Sequence, residues 1–186
     1  MKRIFDISLA VILALLFLPL AIIAAVVIVM VDGRPFLHWS KRVGQNESLF
    51  EMPKFRTMKK DTPQLATHLL GNGKSYLIVG GSFLRKSSLD ELPQLWSILA
   101  GDMSFVGPRP ALFNQADLME MRRQHGIEKL KPGLTGWAQV NGRDEISLEE
   151  KVHLELFYLN NQSFILDLRI LWLTFFKVLS KNDIAH

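Results

Sequence analysis

Between Ile7 and Val31 only Ser8 and Pro19 interrupt an apolar run that Asp6 and Asp32 close at its two ends. As one helix, this stretch is long enough to cross a bilayer. It is too long for the apolar region of a signal peptide, and no small-residue cleavage pattern follows it. A single transmembrane anchor is the ordinary reading, but the flanking charges disagree with it. Lys2 and Arg3 precede the run, while Arg34, Lys41 and Arg42 follow it. Both ends therefore favour the cytoplasmic side, which one crossing cannot satisfy. Pro19 lies at the midpoint, where it removes a backbone hydrogen bond and crowds the carbonyl four residues earlier, so the helix should bend there. A broken helix that dips into one leaflet and returns satisfies both flanks, provided the freed carbonyl finds protein or headgroups.

Beyond the run, residues 34–56 place Phe36, His38, Ser40 and Arg42 ahead of a second segment, Leu49 to Phe55. The polar Gly44-Gln45-Asn46-Glu47 lies between them and predicts a β-hairpin. Residues 61–81 are polar and glycine-bearing and read as a connection. Gly71-Asn72-Gly73-Lys74 within it lacks the Walker pattern and is no phosphate loop. Pro93 is tolerated only in a first helical turn, so a helix holding Leu95, Trp96, Ile98 and Leu99 should begin near Asp90, with Asp90 at or beside its N-cap. Lys131 to Asp144 reads as glycine-rich turns around a short strand. Glu149 to His153 and Phe164 to Leu179 have helical period, and the second stretch is too short and too charged to span. An interfacial helix with Trp172 and the phenylalanines at headgroup level suits it, with ordinary core packing as the alternative.

The pattern gives an α+β, predominantly helical chain: a re-entrant membrane helix over 1–33, a cytoplasmic core over 34–163 with a small hairpin, and an interfacial amphipathic helix over 164–186. With 186 residues the chain has room for one compact domain and a short appendage. Strand–helix alternation is missing, so a doubly wound sheet is not expected.

The chain has no cysteine, which excludes disulfides, thiolate metal sites and a thiol nucleophile. Any metal must take oxygen or imidazole ligands. The net charge of +4 beside a lipid-seeking segment points to anionic headgroups and phosphorylated substrates. No nucleic-acid signature accompanies it. The Lys54-Phe55-Arg56-Thr57-Met58-Lys59-Lys60 cluster suits a membrane surface, although a solvated basic face has the same composition.

Candidate chemistry gathers in Ser82 to Pro110. Asp90 and Glu91 are paired carboxylates at an expected helix start. Ser88 and Glu91 have capping-box spacing, so a purely structural cap is one reading. A helix start would also keep a carboxylate ionised and draw in phosphate, so a nucleophile is the other. Arg85 precedes this stretch, and Arg109 sits between Pro108 and Pro110, which could aim its guanidinium at a phosphate or leave it to bond carbonyls. Arg143 adds a further arginine in a turn.

Five blocks in order carry a resemblance: Lys2-Arg3-Ile4-Phe5-Asp6, Lys54-Phe55-Arg56-Thr57-Met58, Leu84 to Leu95, Gly101 to Pro110, and Lys131 to Asp144. Over nearly its whole length the chain resembles the bacterial sugar transferases, the small monotopic phosphoglycosyl transferases in particular. The resemblance implies a helix broken near a proline, with Lys2, Arg3 and Pro19 as its membrane determinants. Many relatives have Ser-Pro at the break, whereas Leu18-Pro19 stands here. It further implies that Asp90 attacks the sugar-side phosphorus of a UDP-sugar, releases UMP and forms a covalent phosphosugar ester, which polyprenol phosphate then takes. Mg²⁺ held by Asp90, Glu91 and phosphate oxygens would neutralise the diphosphate. Glu91 would position that metal or handle the acceptor's proton. Arg85, Arg109 and Arg143 match family arginines and become the expected phosphate contacts. The expected location is the cytoplasmic face of the bacterial inner membrane, with its phospholipids as partners, early in glycan assembly. The sugar, the glycan pathway and the oligomeric state stay open, a homo-oligomer included. A non-catalytic membrane scaffold and a metal-dependent lipid-diphosphate phosphohydrolase are the rival readings.

Overall fold

The computed structural model describes residues 1–60, 62, 76–142 and 146–180. Helix α1 runs from Lys2 to Asp32 and contains Pro19 as a helical residue. The expected break is therefore not an interruption of helical structure. Only one backbone bond, to the Leu15 carbonyl, is forfeited there.

One stripe of α1 meets the rest of the protein. Ala10 is buried, and Leu9, Leu13 and Ala14 pack with it against Ile98, Met103, Phe105 and Ile170. Farther along, Ala21, Ala24, Ala25 and Ile28 pack with Phe55, Ile78 and Leu84. Between Ala14 and Ala21 no residue joins either cluster. Small residues dominate the stripe, so the helix lies close to its neighbours. The opposite face carries exposed Val11, Leu15, Leu16, Ile22, Ile23 and Val27.

Polar clasps hold both ends of α1. Lys2 Nζ binds the Asp167 carboxylate at 2.6 Å. Arg3 donates to the carbonyls of Ile98 and Leu99 at 2.5 and 2.9 Å. Buried Asp6 accepts from Ser104 Oγ at 2.8 Å and the Phe105 amide at 3.2 Å. At the other end Arg56 pairs with Asp32 and donates to the Gly33 carbonyl.

Strands β1 (Leu37–Val43) and β2 (Leu49–Phe55) form the expected hairpin, with Arg42 opposite Phe50 and His38 opposite Lys54. Strand alternation puts His38, Ser40 and Arg42 on one face with Phe50, Met52 and Lys54. The chain resumes with α2 (Gly81–Lys86), a 3₁₀ turn at Leu89–Glu91 and α3 (Gln94–Ala100). Then come β3 (Ser104–Val106), β4 (Ala111–Leu112), which joins the free edge of β1, and α4 (Ala116–Gln124). β5 (Gly133–Thr135) pairs parallel with β3 and leads into α5 (Trp137–Asn141). The described part of the Lys131 to Asp144 stretch, as far as Gly142, is thus a strand followed by a short helix.

The β3–β5 crossing explains two motif glycines. A Cβ on Gly107 would stand 2.2 Å from the Lys131 carbonyl oxygen, and one on Gly133 would stand 2.1 Å from the Gly107 amide nitrogen. Only bare backbone fits there.

Helix α6 (Leu148–Asn160) is started by Ser147, whose side chain accepts from the Glu150 amide. Helix α7 (Phe164–Ser180) buries Asp167 and Ile170 and bonds Thr174 to Thr135. Its other face exposes Phe164, Ile165, Leu168, Trp172, Phe175 and Phe176. One side of α7 is core and the other is an aromatic-rich apolar face.

Candidate active site

Asp90 is in the 3₁₀ turn, which Ser88 enters in the left-handed conformation at φ 56°. The following helix begins at Gln94 with Pro93 as its N-cap. This corrects the expectation that Asp90 caps α3. Two turn residues intervene, and neither Ser88 nor Pro93 makes a side-chain cap bond. The turn buries Asp90 to 8% exposure and keeps Glu91 beside it.

The environments of the two carboxylates differ. Burial pushes Asp90 up to about 6, Glu91 beside it pushes the same way, and Lys54 and Arg85 oppose. Asp90 stands ahead of the helix start rather than at it, and desolvation raises it, yet at about 6 it still ionises below neutral pH. For Glu91, burial also acts upward, yet Lys54 and Arg109 overcome it and hold the group at about 2. Lys54 Nζ lies 3.0 Å from Glu91 Oε1, and Arg109 Nη2 lies 3.7 Å from the same oxygen. At neutral pH both are carboxylates. Asp90 is the less well compensated of the two.

The arginines distribute around this pair. Arg85 donates from Nε to Thr57 Oγ1 at 3.0 Å and faces Asp90 electrostatically. Burial lowers its own ionisation point. Arg109 projects on the Glu91 side from a backbone held in place by Arg122, whose Nη2 donates to the Arg109 carbonyl at 2.9 Å. Arg122 is itself locked in a buried pair with Glu155 at 2.6 and 2.8 Å. The structure thus brings Asp90, Glu91, Arg85 and Arg109 together. Arg143 lies outside the described residues. Lys2 and Arg3 are engaged in the clasps described above and lie at the other end of α3.

Two residues the sequence did not single out join the site. Lys54 stood out only as part of a basic cluster, and Arg42 only as a flanking charge. Strand parity puts both on the face of the hairpin turned toward Glu91. Burial lowers Arg42 to about 10, and Arg109 nearby pushes it the same way. Arg42, Lys54, Gln94 and Arg109 line one indentation with Pro110 and Gly133.

A buried carboxylate beside several cations, on a scaffold that carries one long apolar helix, fits chemistry on phosphates. The bacterial sugar transferase family profile matches residues 1–181. The chain belongs to that family. This bacterial sugar transferase is 39% identical over 186 residues to the uncharacterized sugar transferase EpsL of Bacillus subtilis (strain 168), covering 100% of this chain and 91% of that protein. It is 33% identical over 201 residues to the undecaprenyl-phosphate galactose phosphotransferase of Salmonella typhimurium, covering 100% of this chain and 42% of that protein. It is 36% identical over 185 residues to the UDP-glucose:undecaprenyl-phosphate glucose-1-phosphate transferase of Escherichia coli (strain K12), covering 95% of this chain and 40% of that protein. The sugar transferase is therefore an enzyme of the transferase class.

Proposed function

We propose that the enzyme moves a sugar 1-phosphate from a UDP-sugar to a polyprenol phosphate, as the first membrane step of a bacterial glycan assembly route. The observation that carries this reading is Asp90, a buried carboxylate flanked by Arg85 and Lys54, with Glu91 beside it held by Lys54 and Arg109. An Asp90 oxygen attacks the sugar-side phosphorus. The bond from that phosphorus to the bridging oxygen breaks, and the bridging oxygen leaves with UMP. An oxygen of the lipid phosphate then attacks the aspartyl phosphosugar, and the Asp90 carboxylate is restored. Neither step needs a proton if the lipid phosphate reacts as its dianion. Glu91, held at about 2, is a weak proton acceptor and better suited to organising cations.

Among the described residues no group of three or more His, Cys, Asp or Glu gathers as a metal cage. Two adjacent carboxylates fit Mg²⁺, which commonly takes one or two carboxylates together with substrate phosphates and water. Asp90 and Glu91 would hold it. When bound, the ion would neutralise charge on the diphosphate.

The membrane placement draws on α1. Its two ends are clasped to one globular body, and the gap between its two packed clusters is Leu15–Leu20, on the order of 9 Å of helix, against a hydrocarbon core of about 30 Å. This supports a re-entrant helix with its apex near Pro19 and both flanks at the cytoplasmic face. The exposed apolar face of α7 would rest in the headgroup region. On this reading residues 1–33 insert, 34–163 carry the chemistry and 164–186 lie on the surface, with membrane phospholipids as partners.

The test is UMP release from a panel of UDP-sugars by the purified, detergent-solubilised enzyme with Mg²⁺, with and without polyprenol phosphate. Acceptor-dependent UMP release from one donor, lost in Asp90→Asn, is expected. Release of free sugar phosphate to water without an acceptor would indicate a phosphohydrolase instead.

A further inference from the structure

Among the described residues, the sheet that leads the chain toward Arg109 has two strands, β3 and β5. One edge of β3 is taken by β5, with the Ser104 amide donating to the Pro132 carbonyl at 2.9 Å. No strand covers the other edge, and a buried amide left there without an acceptor is costly. Helix α1 supplies the acceptor. Asp6, 3% exposed, takes the Phe105 amide on Oδ1 at 3.2 Å and the Ser104 hydroxyl on Oδ2 at 2.8 Å. One residue on, the Val106 carbonyl meets the Tyr158 hydroxyl of α6 at 3.5 Å. That hydroxyl is aligned by Asp167 of α7 at 2.6 Å and by Lys2 of α1 at 3.2 Å. Three consecutive residues of β3 are thus held by polar groups of the helices around them, and α1 takes part in every contact.

Arg109 follows Val106 by three residues, and the segment between them is stiff. The Gly107 amide donates to the Thr135 carbonyl and the Gly133 amide to the Pro108 carbonyl, both at 2.9 Å. Pro108 and Pro110 fix the backbone on either side of Arg109. A displacement of β3 is therefore passed on to Arg109 and not absorbed on the way. Apolar packing of Leu9, Ala10, Leu13 and Ala14 holds α1 against the core, but such contact is non-directional and sets no register. A carboxylate with two hydrogen bonds has one position along the helix. Both of its partners are neutral, so its burial has a desolvation cost that a leucine would not carry; what it adds is register. Resting on the transfer reading above, we propose that Asp6 is a positioning residue: it fixes β3 against α1 so that the Arg109 guanidinium stands beside Glu91, and the seating of the apolar helix sets the geometry of the site. Neither contact needs the negative charge, since an asparagine accepts from the Phe105 amide and donates to the Ser104 hydroxyl.

The experiment measures donor kcat/KM for UMP release by the detergent-solubilised full chain, with polyprenol phosphate and the UDP-sugar that the panel identifies, well below the thermal midpoint of every variant. Asp6→Leu removes both bonds. Ser104→Ala removes one and carries the test should Asp6→Leu not fold, and Asp6→Asn keeps both. Misplacing a reacting group by about 1 Å can cost roughly 100-fold in rate, so a loosened Arg109 should cost about tenfold in Asp6→Leu and about threefold in Ser104→Ala. Asp6→Asn should stay within about twofold of the parent. In an Arg109→Lys background the placement that Asp6 protects is already lost, so Asp6→Leu should there cost less than about twofold. A folded Asp6→Leu or Ser104→Ala with the parent's kcat/KM overturns the positioning role. So does a loss in Asp6→Asn as large as that in Asp6→Leu, or a loss in Asp6→Leu that is the same in both backgrounds. If the parent enzyme shows no Asp90-dependent UMP release, the transfer reading itself falls, and the positioning role with it. Intact release with unmoved variants removes only the positioning role.

Discussion

Replacing Asp90 by Asn should make the protein more stable while abolishing transfer. Raising the carboxyl from 3.8 to about 6 means that the folded protein holds this proton more tightly than the unfolded chain does. Above about pH 6 the folded state therefore bears the cost of a buried charge. A tenfold change in an ionisation constant is about 1.4 kcal/mol, so the penalty at pH 8 is ~3 kcal/mol. The penalty fades as pH falls through 6 toward 3.8, because folded Asp90 takes up its proton. An asparagine carries the neutral shape at every pH. Thermal midpoints in one detergent at one scan rate should place Asp90→Asn above the parent at pH 8 by roughly 6–12 °C. The gap should close by about pH 4. Glu91→Gln should move the other way: its carboxyl is held at about 2, so its stabilisation is present above its ordinary 4.5 and lost as pH falls toward 2. At pH 7 that variant should lose ~2–3 kcal/mol, with Lys54 and Arg109 left unbalanced. An Asp90→Asn protein less stable than the parent at pH 8, or a gap that does not change with pH, would refute the assignment of desolvation as the dominant effect.

Single-turnover UMP formation should rise with pH through about 6 and level off, since the ionised Asp90 attacks; a rate that falls over that range contradicts the nucleophile assignment. The buried Arg122–Glu155 pair should act on Arg109 through its backbone. Arg122→Met alone should cost about 3–5 kcal/mol, whereas Arg122→Met with Glu155→Leu should recover most of the stability yet keep a donor KM raised about tenfold. A double variant with wild-type KM would show that the pair is structural only. Gly107→Ala should lose at least ~3 kcal/mol or fail to accumulate as folded protein, because the new methyl meets the Lys131 carbonyl, and a wild-type midpoint would contradict that crossing. Trp172→Ser with Phe175→Ser on α7 should weaken co-sedimentation of the full chain with anionic lipid vesicles by about tenfold or more, and unchanged partition would remove α7 from the interface.

Sequence patterning reached the elements whose signals are local. The apolar run became α1, the alternating segments around Gly44-Gln45-Asn46-Glu47 became the β1–β2 hairpin, and the helical period after Phe164 became α7. The three-residue strands β3 and β5 have no such signal. They exist because Gly107 and Gly133 let two backbones touch across 26 residues of chain. The start of α3 was misplaced because Pro93 serves as the cap itself, which leaves Asp90 in a tighter turn. Within the site, Asp90, Glu91, Arg85 and Arg109 were legible from motifs. Arg42 and Lys54 were not, because their proximity to Glu91 depends on how the hairpin docks against the 3₁₀ turn and α3. A reading of strand parity places Arg42 and Lys54 on one face, but only the tertiary packing says what that face meets.

The most direct measurement is intact and peptide mass analysis of the purified enzyme after brief incubation with its UDP-sugar and Mg²⁺, acid-quenched before any polyprenol phosphate is added. The mechanism predicts a gain of one phosphosugar on the peptide containing Asp90, formed with an equal amount of UMP, discharged on adding the lipid and absent from Asp90→Asn. UMP production that always requires the lipid, with no adduct trapped on Asp90 at any time, would contradict the covalent mechanism.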